Sequence, residues 1–350
     1  MATPIRKVVI SEFGDVSKIG VEQSSIEPPK PGEVQVAPIY AGFSGADINM
    51  RRGQYPMQRK APLTPGYCLA GRARTDGARV RAGDLVACLT VYDAQAELVN
   101  LPEKYLIPVP DGVAPDTAAA LALDWATALG MVERAAVARG QRVFVHGASG
   151  AVGYATATLC RLRGADVYGT ASARNHAALR ARGVTPFAYA DKAWIGAMQG
   201  LGGAHAVFDA LGAESWEESY SILPPCAGGG SDGPDERGLL VAYGQNQSAL
   251  TGAEPAGGSV LPFARLLLKN AKIFSARRTC FYYITRDQPS FVPNLRRLFD
   301  MARDGTIDVV IKNVWDMEDI KTAHQNWASS SGVGSNLIRI SSENSGVGAE

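Results

Sequence analysis

At 350 residues, with 46% hydrophobic and 20% charged residues, the chain can bury a large core, and its length fits two domains better than one. Its net charge of +1, with arginines spread along the chain, makes no field that would draw in nucleic acid or an anionic membrane, so neither is expected as a partner. Five cysteines at 68, 88, 160, 226 and 280 include no CxxC spacing, which argues against a disulfide framework and a zinc knuckle and for reduced thiols.

The N-terminal "MATPIRKVVISEFGD" has no apolar run of signal-peptide length, and the later apolar stretch 117–138 is broken by Asp124, Glu133 and Arg134, so a cytoplasmic protein is expected. From 5 to about 110, short β-rich runs ("KVVI", "EVQVAPIYA", "DLVACLTV", "YLIPVP") alternate with Gly and Pro punctuation, which predicts an antiparallel barrel-like or sandwich domain. The texture then changes to β-then-α units. Strand runs at 142–147, 166–171, 206–211 and 239–244, separated by helical patterns such as 152–163 and 175–182, predict a parallel doubly wound sheet. The last 45 or so residues return to mixed strand and helix and are expected to rejoin the first domain, with a frayed tail over 341–350. Residues 226–238, "CAGGGSDGPDERG", read as an enlarged surface loop.

Between a strand and a helix stands "GASGAVG", residues 147–153. Gly150 and Gly153 let backbone approach a pyrophosphate and let the helix pack on the strand, while unpaired N–H groups at the helix start face the phosphates. The first glycine of the usual fingerprint is Ala148 here. At the end of the next strand, where an acid would hold the ribose 2′-hydroxyl of NAD, the sequence has "VYGTASARNH". Ser172 and Arg174 can bind a 2′-phosphate that a carboxylate would repel, so NADPH is the expected cofactor; a solvated helix-start role for Arg174 stays open.

With these parts in this order, the chain from about 5 to 340 resembles the medium-chain dehydrogenase/reductase superfamily, in particular its zinc-independent quinone oxidoreductase-like branch. The carrying segments are "AGFSGADINMRRGQYP", "PLTPGYCLAG", "AELVNLPEKYLIPVPDGV", "GASGAVG" and "GSNLIRI", and "LDWATALGMV", "ESYSILPP" and "LKNAKIFSARRTCFYYIT" resemble its vesicle-amine-transport-protein-like sub-branch. The resemblance implies an α/β fold with a GroES-like β-rich catalytic domain over 1–123, completed by 307–350, and a Rossmann NADP(H)-binding domain over 124–306. It also implies a homodimer. For the cofactor it implies Gly150, Ala151 and Val152 at the pyrophosphate, Ser172, Arg174 and Tyr189 around the 2′-phosphate, and Tyr243, Gly244 and Asn336 near the nicotinamide.

Zinc-dependent members carry a cysteine, a histidine and a third ligand where this chain has Ser44 in "GFSGAD", Tyr67 and Cys68 in "GYCLAG", and Asp124 in "LALDW". Hydroxyls are poor zinc ligands at neutral pH, so a metal-free site is expected, with Cys68 a packing residue. Without a Lewis acid for alcohol oxidation, the resemblance points to hydride delivery from NADPH to the activated C=C of an α,β-unsaturated carbonyl or to a quinone. Candidate donors to the developing oxyanion are Ser44, Tyr55 and Tyr67, with simple packing an equal alternative for Tyr55. Asp47 reads as a helix-start residue and His146 as structural. Two alternatives stand beside this: an NADP-dependent carbonyl or alcohol oxidoreductase, and a non-catalytic NADPH-binding protein.

Overall fold

The structure, a computed structural model, describes residues 1–224, 237–251, 261–271, 275–329 and 331–341. Two compact units result. One is built from Met1–Ala126 and from Thr285 onward; the other, Thr127–Ile284, also takes in Ser331–Gly334. The return to the first unit thus begins at 285, earlier than the expected 307, because the amphipathic helix Phe291–Arg303 packs its buried Phe291, Leu295, Leu298 and Phe299 within that unit. Most of the expected loop at 226–238 and of the tail at 341–350 lies outside the described residues. Among the described residues, no helix is long and apolar enough to cross a membrane.

The first unit is organised by the long strand Glu33–Phe43, whose burial alternates over its first half and becomes nearly continuous toward Phe43. On one side it pairs antiparallel with Cys68–Ala73; on the other it pairs with Val99–Pro102 near its start and with Ser335–Arg339 near its end. The register Asn336↔Phe43 to Arg339↔Tyr40 puts the strand Ser335–Arg339 inside the sheet, between Glu33–Phe43 and the edge strand Ile311–Asp316, where "NLI" is buried. A ribbon of Thr3–Ile10 and Ile19–Ile26 forms a separate two-stranded sheet, tied by the isolated bridges Lys7↔Ala96 and Ile10↔Leu63 to segments that connect strands of the larger one. Where Pro115–Ala120 continues toward Ala126–Arg134, residues Leu121–Trp125 form a π-turn that carries Asp124. One extra residue per turn of this kind recurs at functional sites.

The second unit holds six parallel strands: β1 (Arg142–Val145), β2 (Asp166–Ala171), β3 (Val184–Ala188), β4 (Ala206–Asp209), β5 (Gly238–Ala242) and β6 (Arg277–Phe281). Their order is β3-β2-β1-β4-β5-β6, so the strand order reverses between β1 and β4, and a doubly wound sheet forms its ligand crevice at that place. β1 and β4 are apolar on both faces, as a covered parallel sheet demands. Phe144, fully buried, packs against Trp194 and Phe187, and burying a ring of this size contributes roughly 2 to 3 kcal/mol. Helix α1 (Ala151–Leu162) follows β1; its small buried residues Gly153, Ala155 and Ala157 allow close approach to the sheet.

Candidate functional site

In the second unit, the turn after β1 is built from backbone. Gly147 has φ +66, a left-handed conformation natural to glycine, and its carbonyl accepts the Gly150 N–H at 2.8 Å. Gly150 caps α1, and no side chain caps the helix's first turn, so the leading N–H groups at Ala151 and Val152 keep the orientation that serves an anion. A Cβ at 153 would collide with the Gly147 carbonyl oxygen, and one at 169 would collide with the Val145 carbonyl oxygen and lie 3.0 Å from the Ala148 methyl. The alanine in the fingerprint's first glycine position is therefore accommodated by Gly169 on β2. An open cradle of this kind fits the pyrophosphate of a dinucleotide.

Ser149 and Asn175 were not among the expected residues, yet they brace this turn. Buried Asn175 donates to Ser149 Oγ at 3.0 Å and accepts from the Gly332 N–H at 2.9 Å, and Gly334 N–H donates to the Ser149 carbonyl at 3.2 Å. The signal in sequence was only an Asn directly before a helix and a glycine pair, "GVG", far along the chain.

At the edge of the sheet, Ala171 of β2 and Ala188 of β3 are register partners, so Ser172 and Tyr189 leave adjacent strand ends side by side. Arg174 lies in the single turn Ala173–Asn175 and is exposed; Tyr189 is 62% exposed. The segment from 172 to 176 contains no acid. Tyr243 and Gly244 follow β5: Tyr243 is buried and donates its N–H to the Asp209 carbonyl at 2.8 Å, and Gly244 has φ +66. Asn336 belongs to the first unit, on the strand Ser335–Arg339, where its Oδ1 accepts from Asn313 Nδ2 at 2.8 Å.

In the first unit, the hydroxyls of Tyr55 and Tyr67 meet at 2.8 Å with their rings edge to face, centroids 5.9 Å apart. Tyr67, 3% exposed, is held by its own carbonyl, which accepts N–H groups of Thr90 at 2.8 Å and Val91 at 3.0 Å. Val91 has φ +74, a costly conformation for a β-branched residue. Tyr55 is half-buried.

Ser44 caps the helix Gly45–Arg51: its Oγ accepts from Ala46 N–H at 3.2 Å, while its own N–H donates to Asp47 Oδ2 at 2.9 Å. The Ser44 hydroxyl is thereby committed to the helix start. Asp47, fully buried, also accepts from Gly66 N–H at 3.1 Å and Gln95 Nε2 at 3.3 Å. Burial pushes its carboxyl up to about 6, against the pull of these donors. Asp124, buried in the π-turn, is pushed up to about 7 by burial, and the charge of Asp47 adds to the shift.

Cys68 is fully buried, its thiol faces the Ala119 carbonyl at 3.4 Å, and burial drives its pKa well above the ordinary thiol value. A Cβ on Gly42 would lie 2.5 Å from its sulfur, which fixes Cys68 as a packing residue. A protonated thiol, two phenols and a capping serine make a poor donor set for zinc, and among the described residues no three His, Cys, Asp or Glu side chains are placed to hold a metal.

Residues 30–111 match the family model of the alcohol dehydrogenase GroES-like domain. The chain is 28% identical to human synaptic vesicle membrane protein VAT-1 homolog over 353 residues, covering 95% of this chain and 86% of that protein. It is 27% identical to a probable quinone oxidoreductase of Schizosaccharomyces pombe, over 91% of this chain and 92% of that one. The solved structure of Escherichia coli quinone oxidoreductase complexed with NADPH shares the fold at a TM-score of 0.78 and 19% identity, with 95% and 99% of the two chains covered. Joined to the mixed sheet of the first unit and the 3-2-1-4-5-6 sheet of the second, these likenesses support the expected resemblance to the medium-chain dehydrogenase/reductase superfamily and to its quinone oxidoreductase-like, VAT-1-like branch.

Proposed function

We propose that the chain is an NADPH-dependent, zinc-independent reductase that delivers hydride to the activated C=C of an α,β-unsaturated carbonyl or to a quinone. The observation that carries this is the Tyr55–Tyr67 hydroxyl pair, whose Tyr67, by the resemblance, takes the position of a metal ligand in zinc-dependent relatives. A phenol that accepts one hydrogen bond donates more strongly through its own proton, so the pair suits an oxygen on which enolate or hydroquinone charge develops. Bound NADPH supplies the hydride. Gly150, Ala151 and Val152 would hold its pyrophosphate, and Ser172, Arg174 and Tyr189 its 2′-phosphate, with the open cradle and the acid-free end of β2 in support. Ser44, committed to its helix, would act by placing the chain that leads to Tyr55. Zinc independence rests on the donor chemistry of Tyr67, Cys68 and Asp124.

The test is NADPH oxidation against a panel of quinones, short enones and larger enones, with and without a chelator. Turnover on at least one enone or quinone, undiminished by chelation, is expected. Tight NADPH binding without turnover on any of them would favour a non-catalytic binding protein, and turnover confined to carbonyl–alcohol interconversion would favour the carbonyl oxidoreductase.

A further inference from the structure

At the C-terminal ends of β1, β2 and β4, the second unit buries a chain of polar side chains that the mechanism above does not use. Thr170, His146, Ser219, Asp209 and Ser215 are each at most 5% exposed. His146 Nδ1 lies 3.1 Å from Thr170 Oγ1, and its Nε2 lies 3.0 Å from Ser219 Oγ. Ser219 Oγ lies 2.6 Å and Ser215 Oγ 2.7 Å from Asp209 Oδ2, and Leu211 N–H donates to Asp209 Oδ1 at 2.8 Å. At the other end, Gly147 N–H donates to Thr170 Oγ1 at 3.3 Å.

Counting protons fixes the direction of every bond. The Asp209 carboxylate only accepts, so Ser219 spends its single hydroxyl proton there. The contact between Ser219 and His146 then requires a proton on Nε2. A neutral ring with Nε2–H has a lone pair on Nδ1, which accepts from Thr170, and the Thr170 oxygen is left to accept from Gly147. Burial holds the His146 pKa below its ordinary value despite the nearby charges of Asp209 and Glu218, which keeps the ring neutral. The rings of Phe144 and Trp194, edge-on at 5.1 and 4.9 Å, lock its orientation. The order Asp–Ser–His also rules out a hydrolytic triad, since the serine already gives its proton to the carboxylate rather than to the imidazole.

We infer that these side chains form a one-way relay in which His146 is a positioning residue: through Thr170 it sets the Gly147 turn, and through Ser219 and Asp209 it ties that turn to the loop after β4. β1 and β4 flank the place where the strand order reverses, so the relay holds together the two lips of the nucleotide crevice. Asp209 extends the hold to a third strand end, since its carbonyl accepts the Tyr243 N–H. The inference rests on the NADPH assignment for its effect on binding, but the relay itself belongs to the cofactor-free chain.

Two measurements test it. Nitrogen-15 NMR of the cofactor-free full chain should show His146 as the neutral Nε2–H tautomer, and an Nδ1–H tautomer would overturn the relay. NADPH affinity, read by fluorescence titration, should weaken about ten-fold in Thr170→Val and Ser219→Ala, the size of one lost buried hydrogen bond, and return to the wild-type value in Thr170→Ser. Val207→Ala, a core truncation on β4 outside the relay, should lower Tm without moving the affinity. If Thr170→Val and Ser219→Ala keep wild-type affinity, or lose it only in proportion to Tm as Val207→Ala does, the positioning role is refuted. A wild-type chain that binds no NADPH would instead remove the cofactor assignment and leave the tautomer to decide the relay.

Discussion

The two units make their candidate sites by opposite means. In the second, the turn 147–153 is shaped by the absence of side chains: a left-handed Gly147, an uncapped helix start, and a Gly153 with no room for a methyl. In the first, the Tyr55–Tyr67 hydroxyl pair and the buried carboxyls of Asp47 and Asp124 are features of side chains, placed by a capping box, a π-turn and a Val91 in an unfavourable backbone conformation. A backbone site is set by local residue types, whereas a side-chain site depends on pairings across the fold. Substitutions should therefore break the first by sterics and the second by chemistry alone.

The largest effect is expected at Gly153. Alanine there gains up to about 1 kcal/mol of helix propensity, but its methyl would collide with the Gly147 carbonyl oxygen, and relieving such overpacking costs about 3 kcal/mol. Overpacking wins. Gly153→Ala should lower Tm and abolish measurable NADPH binding, and a variant that binds normally would show that the turn can yield.

Next comes Asp124, whose effect is expected in pH rather than in shape. Its folded-state pKa of about 7 lies above the ordinary 3.8, so the folded chain holds the proton more tightly than the unfolded chain does. Stability from this group is present at low pH and is lost as pH rises from about 4 through about 7. Asp124→Asn has no proton to lose, so in denaturant titrations it should match the wild type near pH 4 and exceed it by up to about 4 kcal/mol at pH 8. A difference independent of pH would show that the carboxyl is not the source.

This contrast also explains what was legible beforehand. The glycine turn, the strands at 142–145 and 166–171 and the C-terminal return to the first sheet are local patterns of residue type. Strand β3 was missed because Pro186 sits inside it; as the sheet's edge strand it needs no second hydrogen-bonded neighbour, and proline is tolerated there. "SGAD" held a capping signature, so the committed hydroxyl of Ser44 was readable from spacing alone. The relay was not readable, because His146 and Ser219 are 73 residues apart and meet only once β1 pairs with β4 and the helix Trp216–Ser221 after β4 brings Ser219 back to the end of β1.

Tyr67→Phe tests the chemical half of the comparison. The ring keeps its packing and only the hydroxyl pair is lost, so Tm should shift little. Turnover should fall about 100-fold, or about 2.7 kcal/mol, typical of one lost oxyanion donor. Because such a donor acts in the transition state, kcat and kcat/KM should fall together; a rise in KM alone would assign Tyr67 to ground-state binding.

The smallest effect, at Arg174, asks whether the backbone site has a side-chain component after all. In the proposed complex the turn would hold a pyrophosphate through N–H groups that NADH and NADPH would engage alike, so preference between them would come from the sheet edge, where Ser172 and Tyr189 emerge together and Arg174 follows in an exposed turn. An exposed guanidinium on a phosphate is screened by solvent, which limits its contribution to about 1.4 kcal/mol. Arg174→Ala should therefore weaken NADPH about ten-fold and leave NADH unchanged, as read by paired titrations at fixed ionic strength, and raising the salt should shrink the difference in the wild type but not in the variant. Equal weakening of both cofactors would move Arg174 from the 2′-phosphate to the fold, and leave the cradle to bind either dinucleotide without discrimination.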